Sequence, residues 1–228
     1  MDRAKLNSAD HQRRSALETL DSVIVAPSRT LCLDFANTLS WRGSTPVECL
    51  RGFDELEGWF IEADILTTAA AKRLRRWALR YPARAAQILA DTLALREVIY
   101  ELFHAQASVG MPPDRQVDSL NRALDRAPRR GALARRGDKF GWQFTPRAIG
   151  AAELLAPVLW SAGDLLVSAD ANRVRECGNP QCLWLFLDDS KNGSRRWCSM
   201  QSCGNRAKAQ RHYNVRRGLL SSAPPCST

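Results

Sequence analysis

Histidine is scarce in this chain, with three in 228 residues. His11, His104 and His212 are its imidazoles, and none lies in an HExxH run or in a Ser-His-Asp order. A phosphate-cradling glycine loop and a dinucleotide fingerprint are missing as well. No enzyme class is recommended, and the expectation is a protein without catalytic activity. Long apolar runs are also lacking, since none approaches the roughly 20 residues that span a bilayer. Met1 to Leu20 is polar and charged, without the apolar centre of a signal peptide. No membrane partner and a cytoplasmic location are expected. Acidic residues are sparse where basic ones gather. Residues 171–217 hold ten Lys and Arg against Glu176, Asp188 and Asp189, which is +7 of the chain's formal +9. A surface of that sign attracts nucleic acid or another acidic partner.

Cysteine is present in an odd number, seven, and its distribution is uneven. Cys177 and Cys182 form one pair and Cys198 and Cys203 another, with four residues inside each pair and fifteen between the pairs. Two short loops that each offer two thiolates make a closed tetrahedral zinc site. Disulfides would give the same count, but nothing else suggests secretion. Four thiolates leave no position for water, so one structural Zn2+ is expected and a catalytic one is not. Leu183–Leu187 is apolar enough for a strand, residues 189–194 with Asn192-Gly193 read as a turn, and Arg195–Trp197 reads as the returning strand. The run 206–217 has neither Gly nor Pro and is rich in Ala, Lys, Arg and Gln, which predicts a helix. The second cysteine pair would sit at its start, where the helix dipole favours thiolate.

Cys203-Gly204-Asn205-Arg206, preceded by Arg195-Arg196-Trp197-Cys198-Ser199-Met200 and followed by Lys208, resembles the CGNR-type zinc finger. Phe186-Leu187-Asp188-Asp189-Ser190 is similar to that family's loop. In bacterial proteins described as stress-induced transcriptional regulators, this finger follows a helical domain called ABATE. Leu33-Asp34-Phe35-Ala36-Asn37-Thr38 resembles that domain's opening motif. The resemblance implies DNA binding by the finger.

Along the chain, residues 1–20 are expected to be a flexible arm, 21–170 a helical ABATE-like domain, 171–217 the finger and 218–228 a disordered tail. Residues 29–39 read either as a short strand or as the opening of a helix. Asp34 and Asn37 there either line a pocket or cap local backbone. Helices are predicted over 53–63, from Thr67 or Thr68 to Arg80, from Pro82 to about Ser108, over 114–127, and over 148–168 with a bend at Pro157. The third is expected to be central, with a stripe of Ile88, Thr92, Leu95, Ile99, Leu102 and Gln106. Residues 132–145 predict a hairpin that turns near Gly137. Cys32 and Cys49 are expected to pack as small apolar side chains. The fold class is thus a mainly α N-terminal domain with a small β-hairpin, plus a C-terminal treble-clef-like zinc finger of hairpin and helix.

Arg206, Gln210, Tyr213 and Arg217 fall on one face of the last helix, with Lys208 and Arg211 beside them. With Arg195 and Arg196 they are the candidate DNA contacts. Arg206 is equally suited to hold the finger together, by bonding carbonyls or pairing with Asp188 or Asp189. The functional expectation is a zinc-dependent DNA-binding transcriptional regulator whose N-terminal domain senses a small-molecule effector or mediates assembly. A single finger reads few base pairs, so a specific regulator is expected to need a homodimer or another contact. The alternative is a zinc-stabilised module that binds protein or RNA without sequence-specific DNA binding.

Overall fold

The computed structural model describes residues 22–24, 27–144 and 149–216. The arm over 1–20, the tail over 218–228 with Cys226, and Arg217 lie outside the described residues. The chain begins with β1 (Ser22–Ile24), α1 (Leu31–Ala36), β2 (Leu39–Ser40), β3 (Val47–Glu48), α2 (Phe53–Glu62) and α3 (Thr68–Arg80). It continues with α4 (Pro82–Val109), α5 (Asp114–Arg126), β4 (Ala132–Arg136), β5 (Lys139–Phe144), α6 (Ala151–Leu154) and α7 (Ala156–Val167). After a 3-10 turn (Ala169–Arg173) come β6 (Val174–Glu176), β7 (Leu185–Leu187), a π-type turn (Met200–Gly204) and α8 (Asn205–Arg216). Among the described residues no helix is long and apolar enough to cross a membrane.

Helix α4 is the axis. Pro82 opens it, where a missing amide donor costs nothing, and Gly110 closes it in the left-handed conformation with φ 79°. Ala85, Ile88, Thr92, Arg96, Ile99, Phe103 and Gln106 recur three or four residues apart on its buried face. Leu95 is only partly buried, and Arg96 takes the inward place beside it. Helices α1, α2, α3, α5 and α6 all pack on α4, and so do the strands β6 and β7.

Residues 31–36 are helical because five of the six are buried and the segment is covered by both α7 and α4. A half-buried strand would have exposed every second one of them. Thr67 caps α3 by accepting the Ala70 amide at 3.2 Å. The helix expected over 148–168 is two helices that meet at Leu155, with Pro157 in the first turn of α7. The β4–β5 hairpin gains a third strand that the sequence did not announce, since β1 pairs antiparallel with β5 and places Ile24 opposite Trp142. Cys32 is fully buried as expected. Cys49 is exposed, against expectation: it follows Glu48, where the chain leaves the edge of a two-stranded ribbon.

The hairpin of the C-terminal region is built from other strands than expected. β7 pairs with β6, with Val174 opposite Leu187 and Glu176 opposite Leu185. Residues 195–197 form no strand. The reason is burial. Val174, Leu185 and Leu187 are 1 %, 1 % and 3 % exposed and belong to the main hydrophobic core, under α4 and α1. A strand over 174–176 brings an inward apolar residue to that core, whereas Arg195-Arg196-Trp197 would have brought charge.

Candidate metal centre and basic helix

The two strands of this hairpin carry the first cysteine loop at their tip. The Cys177 amide bonds the Trp184 carbonyl at 2.9 Å and the Cys182 amide bonds the Asn179 carbonyl at 2.8 Å, which curls residues 177–182 into a knuckle. Leu183 completes the curl in the left-handed region, φ 55°. Asn179 holds both knuckles, because its Oδ1 accepts from the Gln181 amide (3.1 Å) and its Nδ2 donates to Cys203 Sγ (3.5 Å). The second knuckle is secured by the Gly178 amide on the Arg196 carbonyl (2.8 Å) and by the Gly204 amide on the Ser199 carbonyl (3.0 Å).

The four sulfur atoms of Cys177, Cys182, Cys198 and Cys203 lie within 4.8 Å of one another. Two of the separations, Cys182–Cys198 and Cys198–Cys203, are 3.8 Å. A tetrahedron with Zn–S bonds of about 2.3 Å has edges of about 3.8 Å, so the donors fit the ion. Their electrostatics point the same way. Burial, and then the charge of Cys177, pushes the Cys182 thiol up to about 12. Burial and the charges of Cys177 and Cys182 push Cys198 up too. Cys203 moves down: burial opposes this, but the Asn179 amide and the neighbouring thiols outweigh it. Thiolates packed this closely need a cation among them, and a divalent metal reverses the penalty. With four thiolates and no open position, the site is structural and takes a single zinc ion.

Asp188 organises the loop between the knuckles. It is fully buried, accepts the Ser190 and Arg195 amides at 2.9 and 3.0 Å, and also accepts the Ser190 hydroxyl. The Ser190 hydroxyl first, and these amides after it, hold its carboxyl below the usual 3.8. Asp189 pairs with Arg29 at 2.5 Å. Neither acid reaches Arg206, whose guanidinium stands 4.5 Å from the ring centroid of Trp41 in the helical domain. Arg195 is likewise engaged: it donates to the Trp197 carbonyl at 2.9 Å and to the Cys198 carbonyl, and lies 4.5 Å over Phe186. Arg196 is exposed beside Trp197, 5.5 Å from its ring centroid.

Helix α8 follows the π-type turn, which Asn205 Nδ2 steadies by donating to the Gln201 carbonyl at 3.2 Å. Lys208, Gln210, Arg211, Tyr213 and Arg216 are all exposed on it. Over 205–216 it carries Arg206, Lys208, Arg211 and Arg216 and no acid. Among its described side chains only Ala207 is even half-buried.

Asp34 and Asn37, for which a pocket and a local backbone cap are the two sequence readings, lie in α1 and at its C-terminal cap. Asn37 is 3 % exposed, and both ends of its amide are used on one residue of β7. Its Nδ2 donates to the Leu185 carbonyl at 2.8 Å and its Oδ1 accepts the Leu185 amide at 3.0 Å. It acts as a strand partner for β7. Asp34 is exposed and accepts from the Thr30 hydroxyl at 3.3 Å.

Sequence reasoning missed the charged lattice that joins the helical domain to the finger. Arg96, 3 % exposed, grips Glu48 with two bonds of 2.7 Å and Glu97 with one of 2.9 Å. Arg42 bonds Glu97 at 2.6 Å and lies 3.7 Å over the Tyr100 ring. Tyr100 donates to the Leu183 carbonyl at 3.2 Å, and His104 meets Glu176 at 2.5 Å. The only sequence signal was an Arg-Glu pair on the apolar stripe of α4, which reads as a solvated step.

A closed four-thiolate knuckle at the root of a basic helix, fused to a helical domain, defines a zinc finger protein with a structural metal. Comparison of the sequence with known families agrees. Residues 29–169 match the ABATE family, described as "Putative stress-induced transcription regulator", and residues 173–216 match the CGNR zinc finger. The first match covers more than half of the chain, and the protein belongs to the ABATE family. No curated protein matches the chain significantly.

Proposed function

We propose that this protein is a zinc-dependent, DNA-binding transcriptional regulator in which α8 lies against duplex DNA. The observation that carries the reading is the character of α8. It is exposed on nearly every described side and basic without a compensating acid, and it is rooted at Cys203 in the zinc site. A helix whose described side chains are so exposed and whose positive charge is uncompensated suits an acidic surface as its partner. Lys208, Arg211 and Arg216 are the residues proposed to hold phosphates, with Gln210 and Arg196 beside them for base edges. Arg195 and Arg206 are assigned to the finger's architecture. The helical domain is the sensing or assembly part, and a second copy supplies the second half-site, because one short helix reads few base pairs. The protein acts in the cytoplasm, on the nucleoid, and catalyses no reaction.

The test is binding of zinc-loaded full chain to duplex DNA across a salt series, beside a Lys208→Ala/Arg211→Ala/Arg216→Ala variant. The wild type should bind with a steep log-log salt slope. The variant should lose about tenfold or more in affinity and up to about three units of slope. Equal binding by the two proteins would defeat the reading. Preference for RNA, or for an acidic protein that DNA does not displace, would replace it.

A further inference from the structure

Trp41 stands in the loop between β2 and β3 with φ 56°, a left-handed conformation that is uncommon and costly for a bulky residue. Two residues on, Gly43 lies so close to the first knuckle that a Cβ there would be 1.8 Å from the Pro180 carbonyl oxygen. Only glycine fits. The Ser44 hydroxyl donates to the Gln181 carbonyl at 3.4 Å. The loop is itself clamped at its root, through Arg42 on Glu97 and Glu48 on Arg96. Its backbone is therefore fixed against the metal centre, and the strain at Trp41 is held by its surroundings.

The indole that this conformation places has two contacts. It packs against the cluster of Cys177, Cys182 and Cys203, and it carries the Arg206 guanidinium on its ring. Cys203 is buried in the turn just before α8, and among the described side chains of the helix only Ala207, in its first turn, is half-buried. A contact one residue into the helix, from a different domain, limits the directions in which the helix can leave that root. We propose that Trp41 is a positioning residue: through the Trp41–Arg206 stack, the helical domain sets the direction in which the basic helix leaves the zinc site. The inference rests on reading α8 as the nucleic-acid surface, and it adds that this surface is aimed by the ABATE domain.

The test uses zinc-loaded full chain with Trp41→Ala, Trp41→Phe and Arg206→Gln. Amide hydrogen exchange in α8 beyond its first turn is read without any nucleic acid. Exchange should be about two- to tenfold faster in Trp41→Ala and in Arg206→Gln, the range that loss of a cation–π contact spans. Trp41→Phe keeps a ring and should restore protection. The double variant Trp41→Ala/Arg206→Gln should be no worse than either single one. Unchanged exchange in both single variants would overturn the inference. If Trp41→Ala fails to fold or to keep zinc, Arg206→Gln decides, since its side chain is on an exposed face. Duplex affinity is measured alongside and should fall in step with protection. Wild-type protein that binds no duplex would defeat the functional reading while the exchange data still decide the positioning.

Discussion

Asn37 and Arg96 are polar side chains that the fold cannot exchange for apolar ones. Asn37 satisfies the amide and carbonyl of Leu185. Asn37→Ala leaves two buried backbone groups without partners and should cost about 2–4 kcal/mol, read as a shift of the urea midpoint with unchanged slope. Glu48 and Glu97 flank Arg96. Burial raises both carboxyls, but the hydrogen bonds from Arg96 to Glu48, and from Arg42 and Arg96 to Glu97, outweigh it and leave both below the usual 4.5. A depressed folded-state value means that their stabilising contribution is complete above pH 4.5 and drains away as the pH falls below it. Glu48→Gln should therefore lower stability at pH 7 and flatten the fall as the pH drops below the ordinary carboxylate value of 4.5. A variant whose acid profile parallels that of the wild type would contradict the lattice.

Elements differed in how legible they were. The helices over 53–62, 68–80, 82–109 and 114–126 were readable because Thr67, Pro82, Gly110 and Pro128 punctuate clean apolar stripes. The cysteine knuckles were readable because metal geometry fixes their spacing. What the sequence hid was pairing across distance. Nothing local tells Leu185 to choose Val174-Arg175-Glu176 over Arg195-Arg196-Trp197, since that choice is made by the core under α4. The same holds for β1 against β5. Helix α8 illustrates a subtler gap. Its basic residues were plain, but the division of labour was not: Arg206 turns to Trp41 and Arg195 to the carbonyls of Trp197 and Cys198. The triple substitution at Lys208, Arg211 and Arg216 should therefore leave thermal stability within about 0.5 kcal/mol of wild type, as for surface changes that remove no packing.

At the scale of the molecule, the finger and the helical domain share one core. Val174, Leu185 and Leu187 join Phe35, Phe60 and Phe103 in it, and Arg29 ties Asp170 to Asp189 across the junction. Structural zinc contributes roughly 10–16 kcal/mol of apparent binding energy in small fingers, and here that energy stabilises more than the finger. Chelation of zinc should lower the melting temperature of the whole chain, and far-ultraviolet and near-ultraviolet circular dichroism should report one shared transition. Two separate transitions, the upper one untouched by chelator, would mean that the finger is only tethered.

The claim on which the account turns is that the zinc-rooted helix α8 reads duplex DNA. Selection of binding sites from random duplex, with zinc-loaded full chain beside Cys203→Ser and the Lys208/Arg211/Arg216 triple alanine variant, tests it most directly. The expected result is an enriched sequence that is lost with both variants. No enrichment, or an enrichment that the triple variant keeps, would contradict it.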